Sequence, residues 1–590
     1  MSEQLENRSV NEENYFTRQM FIRQYTPALI SALALALGDM ADALVIGNRM
    51  GAVGLAAIAF ALPIYMVYNV IMHSFGLGGS IRFAKQMTRG DEQAAVGGFQ
   101  GVMVTLLLIG AGIVILGNVL IHPLMAVLGV GLANEAVYNA TCTYLRFLLC
   151  SAPLFFTAYG LGYFLRNDDL EKYASLSATI GNLSDLFLNI VLVLFCRMGV
   201  VGAGISTACG VGLTSAISIG VIIRKGSHLR VFPFCPSWKG LFSCFRTGLS
   251  SCVSYLYSMF FLLIGNNAMM RLAGEVGVAV FDVIQNITYF FTYLFGAISQ
   301  ASQPIFSTYA GEHNYEGCRG LLKIDALVGL VTGGGGAILV ACFAPQMCRL
   351  FGLSGVAEVS LGTFALIVYC ISAVFVGSNL LLGNYYLSRA QELPAFLIST
   401  LRGAAVLFPM TILFMNTDER IFWFLYPATE ILSLFIFTVY RSVSRKKVQG
   451  VDEERIFRAT LHNRVEEVGE TTVRIEAFCE KWGAKFEQQY FVQMTVEETC
   501  TAIITGGFGG TGERGMIELT LIAEEDGSFT LHVRDSAASF NPFSLRREEV
   551  AGGDTEDLFF SAVGMDVIRQ KAKDFFYRRY QGFNTMVVRI

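Results

Sequence analysis

Charge is what this chain has least of. Only 15% of its 590 residues are charged, against about a quarter in a soluble globular protein, which excludes a water-soluble fold over most of the length. Cysteine is present, 13 in all, but never as CxxC or at metal-ligand spacing. The thiols therefore read as small buried hydrophobes, and no metal site is expected. No GxxxxGK[ST] stretch occurs, and Gly333-Gly-Gly-Gly336 is followed by no lysine, so a phosphate-binding P-loop is excluded. The opening MSEQLENRSVNEENYF lacks the basic start and short apolar core of a signal peptide and reads as a cytoplasmic leader over 1–25. The net charge of −4 singles out no partner, and no nucleic-acid ligand is expected.

Long apolar runs are what the chain has instead. It is 53% hydrophobic with 60 glycines, and small residues let helices approach closely in lipid. Runs of about 20 apolar residues, enough to span a bilayer, fall at 26–47, 54–80, 97–121, 138–163, 173–195, 200–223, 247–271, 276–304, 321–344, 359–384, 394–415 and 420–440. Lys and Arg collect in every second gap: Arg18 and Arg23, Arg82 and Lys85, Arg166 and Lys172, the cluster from Arg224 to Arg246, Arg319 and Lys323, Arg389, and Arg441 to Lys447. By the positive-inside rule those gaps are cytoplasmic. Both termini then share the cytoplasmic side of the cell membrane, which requires an even number of spans. Twelve fits.

The halves repeat. Phe75-Gly76 returns as Phe295-Gly296, Gly90-Asp91 as Gly311-Glu312, and Tyr163-Phe-Leu-Arg166 as Tyr385-Tyr-Leu-Ser388, at offsets of about 220 residues. Six spans bring the chain back to the same side, so the repeat is parallel. The expectation is an all-α polytopic fold of two six-helix lobes, 26–223 and 247–440, joined by a linker at 224–246.

Ionisable residues inside spans cost several kcal/mol and ask for a reason. Asp39 and Asp42 share a face of the first span. Asp185 shares a stripe of the fifth with Asn182 and Asn189, and Asp282 pairs with Gln285 on the eighth. Glu430 lies inside the twelfth. Buried carboxylates hold a proton or a cation, and either state suits ion coupling. Coupling weighs more for Asp42 and Asp185, structure more for Asp39, Asp282 and Glu430. The only basic residue well inside a span is Arg402, near enough to the cytoplasm to reach it along its own stem.

These residues, in order, resemble the MATE (multidrug and toxic compound extrusion) family. Asp42-Ala-Leu-Val-Ile-Gly47 with Gly51, Pro63, Gly76-Leu-Gly-Gly79, Gly90-Asp91-Glu92, Arg166, Gly199-Val-Val-Gly-Ala-Gly204, Gln300-Ala-Ser-Gln303-Pro304 and Arg402-Gly403 are similar to its recurring stretches, over about residues 15–445. The family's fifth span carries Asn and then Asp four residues later; here the order is Asp185 and then Asn189. The resemblance implies an antiporter that exports amphipathic cations against protons or sodium, with no resident cofactor and no catalytic residue. Two other readings stay open. A lipid-linked sugar or polymer flippase would want arginines along its cavity. A membrane sensor would signal through the tail, whose only phosphoacceptor candidate, His462, sits in a strand-like stretch.

Past a basic linker at 441–454, the composition of residues 455–590 changes to that of a small α/β two-layer sandwich. Strands are expected at 457–463, 516–523, 528–534, 575–580 and 585–590, and helices at 465–482, 486–505 and 558–573. The order resembles the histidine-kinase-like ATPase domain in its anti-sigma-factor serine kinase form. Glu498 and Ala502 fall where that family has an acid and, four residues on, a magnesium-binding asparagine. Asp535-Ser-Ala537-Ala-Ser-Phe-Asn-Pro542 is similar to its D-x-G-x-x-F-x-P, and Gly564 keeps one glycine of a G-x-G pair. The resemblance implies a degenerate nucleotide site, with weak adenine-nucleotide binding through Asp535 and no turnover. The partners expected are a small-molecule substrate, membrane lipid and, for the tail, a cytoplasmic protein.

Overall fold

The computed structural model describes the chain except for residues 1, 89–91, 131–133, 169, 225–228, 230–236, 239, 312–313, 390, 445–452, 510–514, 546–555 and 581–582. The side chains of residues 2–16 and of Asp39 also lie outside the described residues, as do most of both linkers. Among those described, ten helices are long and apolar enough to cross a membrane, from Thr17–Phe83 to Ile421–Ser444. Two of them are far too long for one crossing: Thr17–Phe83 has 67 residues and Cys252–Gln303 has 52. Each breaks once, at Gly51 (φ 60°, ψ −143°) and Gly274 (φ 63°, ψ −149°). A side chain is strained at that φ, so a glycine marks each reversal. Twelve crossings result, as the charge alternation requires, in an all-α polytopic membrane fold.

The repeat is visible in the backbone as well. The near-identical breaks at Gly51 and Gly274 have the same sequence separation as Gly129 and Gly352, which end the short helices Ile121–Leu128 and Ala344–Leu350 with positive φ. These elements also clasp the lobes at the end remote from the basic loops. Asn48 of span 1 donates through Nδ2 to the Leu350 carbonyl at 2.6 Å, and Asn267 of span 7 donates to the Leu128 carbonyl at 3.4 Å. Gly47 and Gly352 meet backbone to backbone there, leaving no room for a Cβ on either. At the opposite end Gly78 and Gly248 bring spans 2 and 7 equally close. The second span tolerates His73 because both ring nitrogens are bonded, to the Asn69 carbonyl at 2.9 Å and the Tyr163 hydroxyl at 3.2 Å.

In the tail, β1 (Ile456–His462), α1 (Val465–Lys481), α2 (Phe486–Ala502), β2 (Met516–Ala523), β3 (Phe529–Asp535), α3 (Glu556–Lys571), β4 (Asp574–Tyr580) and β5 (Phe583–Arg589) follow the expected order within a few residues. The five strands are antiparallel in the order β1-β2-β3-β5-β4. Alternation sends Leu519, Leu521, Leu531, Val533, Met586 and Val588 to one face, where Val468, Ile475, Val492, Val496 and Ile568 of the helices cover them. This makes a two-layer sandwich with its own core.

Candidate functional site

Within the N-lobe, the amide of Asn189 donates to a carboxylate oxygen of Asp42. Asn189 is fully buried and directly precedes a wide π turn, Ile190–Phe195, which shifts the register of the residues after it. One turn earlier, Asp185 stands over Gly210 of span 6, where an added Cβ would lie 2.8 Å from the Asp185 Cβ. The glycine therefore lets the helix carrying the carboxylate come close. Ser206 of the same span lies beside the carboxylate, and its Oδ1 has no hydrogen-bond partner among the described residues. Near both acids the hydroxyls of Tyr65 and Tyr144 face each other at 3.4 Å. Asn182, two turns away on the basic-loop side, is exposed, so the stripe contributes two of its three residues to this cluster.

Across the lobe junction, Asp282 is fully buried and accepts from the Asn286 amide at 3.2 Å. Gln285 donates to the Tyr426 hydroxyl at 3.0 Å. Arg402 turns inward rather than out to the membrane surface. A π turn at Leu401–Ala405 carries its guanidinium to Glu430 at 2.7 Å, and the Asn379 amide bonds the same carboxylate at 2.6 Å. One buried acid escaped the sequence reading. Asp325 of the ninth span is fully buried and accepts from the Ser302 hydroxyl at 2.6 Å. The signal for it was the one used elsewhere, an acid within an apolar run, hidden here by its nearness to Lys323.

At the tail positions that the resemblance assigns to a nucleotide site, the described side chains bond one another. Ala502 is fully buried. The Glu498 side chain lies against Gly564, with its Cγ 2.5 Å from where a Cβ would stand. Burial, with Glu497 nearby, raises the Glu498 carboxyl above its usual range. Asp535 is buried and accepts from the Ala537 N–H at 2.9 Å and from the Asn584 amide at 2.7 Å. Burial pushes its carboxyl up to about 6. The Arg579 guanidinium fixes Asn584 at 2.9 Å and the Ala537 carbonyl at 3.1 Å. The sequence places Asn584 in the turn before the last strand and not at this site; in the structure it lies within β5, which pairs with β3.

Residues 27–193 and 248–434 match the MatE family, and residues 461–590 match the histidine kinase-like ATPase domain. The first match covers more than half of the chain, once in each lobe. The chain belongs to the MatE family of membrane transporters; it is a transporter rather than an enzyme, with an ATPase-like domain at its C-terminal end. A protein named FAD transporter from Shewanella oneidensis is 26% identical over 194 residues, 32% of this chain and 42% of that one. The chain thus aligns with less than half the length of that relative. A multidrug resistance MATE family transporter of the MOP superfamily, in its inward-facing conformation, matches with a TM-score of 0.64 at 20% identity, over 70% of this chain and 96% of that one. An outward-facing form gives a TM-score of 0.56 over 73% and 97%. A MOP superfamily transporter from Pyrococcus furiosus, described by the reverse polarity of its binding pocket, gives 0.57 over 73% and 97% at 20% identity.

Proposed function

We propose that the protein is a secondary antiporter of the cell membrane, exporting amphipathic, cationic drugs or metabolites in exchange for protons or sodium. The observation that carries this reading is the N-lobe cluster, in which Asn189 bonds Asp42 and both Asp42 and Asp185 lie near the Tyr65–Tyr144 pair. Amide and hydroxyl groups support a carboxylate without carrying charge themselves, which suits a site that takes up a proton or a metal cation. An incoming ion neutralises the pair, and substrate leaves as the lobes re-orient about the junction. Efflux from proteoliposomes under an imposed pH or sodium gradient tests this; transport indifferent to both gradients would overturn it. Flavin adenine dinucleotide belongs among the substrates assayed, because the relative is named for it.

For the tail we propose a regulatory role without ATP turnover. Ala502 offers no oxygen to magnesium, and Asn584 occupies the hydrogen bond at Asp535 that an adenine amino group would take. The isolated domain, residues 452–590, is expected to show no magnesium-dependent hydrolysis. Ala502→Asn with Ala537→Gly is expected to raise its affinity for adenine nucleotide. Robust turnover by the unmodified domain would sink this reading.

A further inference from the structure

The sheet of the tail has two faces, and only one is covered by the tail's own helices. Residues of the other face are nonetheless withdrawn from water: Thr520 is 2% exposed, Ile522 2%, Arg534 3%, Phe583 5% and Glu518 8%. Register places them together, with Glu518 opposite Arg534 and Arg534 opposite Thr585. In a two-layer sandwich that face meets solvent unless something else lies on it. At its Met516–Phe583 end the cover is the membrane domain. Phe583 and Met516 pack into the apolar cluster of the spans, and the guanidinium of Arg23, just before span 1 enters the bilayer, lies 5.7 Å from the centre of the Phe583 ring. Arg534, ion-paired with Glu518 at 2.6 Å, lies 5.4 Å from the ring centre of Tyr309. Cation–π contacts of this kind strengthen as they are shielded from water.

The site of this contact matters as much as its chemistry. Tyr309 continues span 8 of the C-lobe, and Thr17 lies on the helix that leads into span 1 of the N-lobe. Their hydroxyls are 2.6 Å apart, so the tail sits on a point where the two lobes are bonded at the basic-loop end. We propose that the helix-free face of the tail's sheet is a docking surface for this lobe junction, and that the docked tail holds the two lobe ends together, opposing any opening toward its own side. The surface fits a partner that offers a buried tyrosine to Arg534 and an arginine over Phe583, and the partner is the chain itself. The restraint rests on the transport reading above; the docking does not.

The experiment uses the full chain in membrane vesicles with a protease site placed in the linker at residues 445–450. After cleavage and washing, the tail of the parent protein is expected to stay on the membrane. Phe583→Ala and Arg534→Ala are expected to shed it. So is Arg23→Glu, which lies outside the tail and leaves its core untouched. Each shedding variant is expected to transport several-fold faster than the parent. A parent tail that washes away as readily as the variant tails would overturn the docking. Retention in the parent, loss in the variants and equal transport rates would overturn the restraint. A chain that moves no substrate with or without its tail counts against the transport reading, while retention still decides the docking.

Discussion

In the N-lobe, Asp42 is met by the amide of Asn189; in the C-lobe, Glu430 is met by the guanidinium of Arg402 as well as by the Asn379 amide. The lobes share a backbone plan down to the conformation of their breaking glycines, yet they balance buried charge differently. An amide supplies a hydrogen bond and no charge, so this contact does not neutralise an ionised carboxylate. A guanidinium supplies the counter-charge permanently, and the pair becomes a fixed part of the lobe. Under the proposed antiport the difference points to the N-lobe as the repeat that exchanges the ion, with the C-lobe pair held fixed.

Asp42→Asn tests the responsive half most severely. It keeps the shape and the amide contact but removes the titrating group, so gradient-driven efflux is expected to vanish while the protein still inserts and folds. Transport that survives would move the coupling site elsewhere. Glu430→Gln tests the fixed half. It leaves Arg402 buried without its counter-charge, and a stability loss of about 3 kcal/mol is expected, visible in thermal unfolding of the purified protein in detergent. Adding Arg402→Met should recover most of that loss; a single variant as stable as the parent would show that the pair balances nothing. Asp185→Asn is expected to do less than Asp42→Asn, weakening efflux and shifting its pH profile, because Asp42 remains. An unchanged profile and ion dependence would make Asp185 structural.

The tail allows a smaller check of the same contrast in water. Asp535, like Asp42, is met by an asparagine amide, and its carboxyl is raised to about 6. Its ordinary value lies lower, so the folded domain binds the proton more tightly than the unfolded chain does. Stability is then expected to fall as pH rises from about 4 to about 6, with the cost fully present above that window. Asp535→Asn should flatten the slope in denaturant titrations of the domain. An equally steep slope in that variant would assign it to other groups.

Much of this was legible in the sequence because lipid imposes simple rules. Apolar length and the alternation of arginines and lysines gave twelve crossings, although two pairs of spans form continuous helices broken only at Gly51 and Gly274. Strand alternation located β2 to the residue, Met516–Ala523. What periodicity cannot carry is which residue reaches across. Asn189 shares its stripe with Asp185 and Asn182, but only the packing of span 5 against span 1 shows that it is the one meeting Asp42. Arg402 and Glu430 lie on different helices, and the π turn that aims the guanidinium leaves no mark in composition. Asn584 belongs to the site of Asp535 only because β5 pairs with β3.

The clasp remote from the tail, Asn48 on the Leu350 carbonyl and Asn267 on the Leu128 carbonyl, has a kinetic meaning. Each bond is contributed by one repeat and received by the other, so the lobes cannot part there without breaking both. Two neutral hydrogen bonds are worth about 1 kcal/mol each, and losing both on the way to the open state slows it by roughly thirtyfold. That is a timer rather than a lock. It is short enough to be outrun by thermal motion, and it is set by one asparagine from each repeat, so removing either alone should shorten the dwell by only part of the interval.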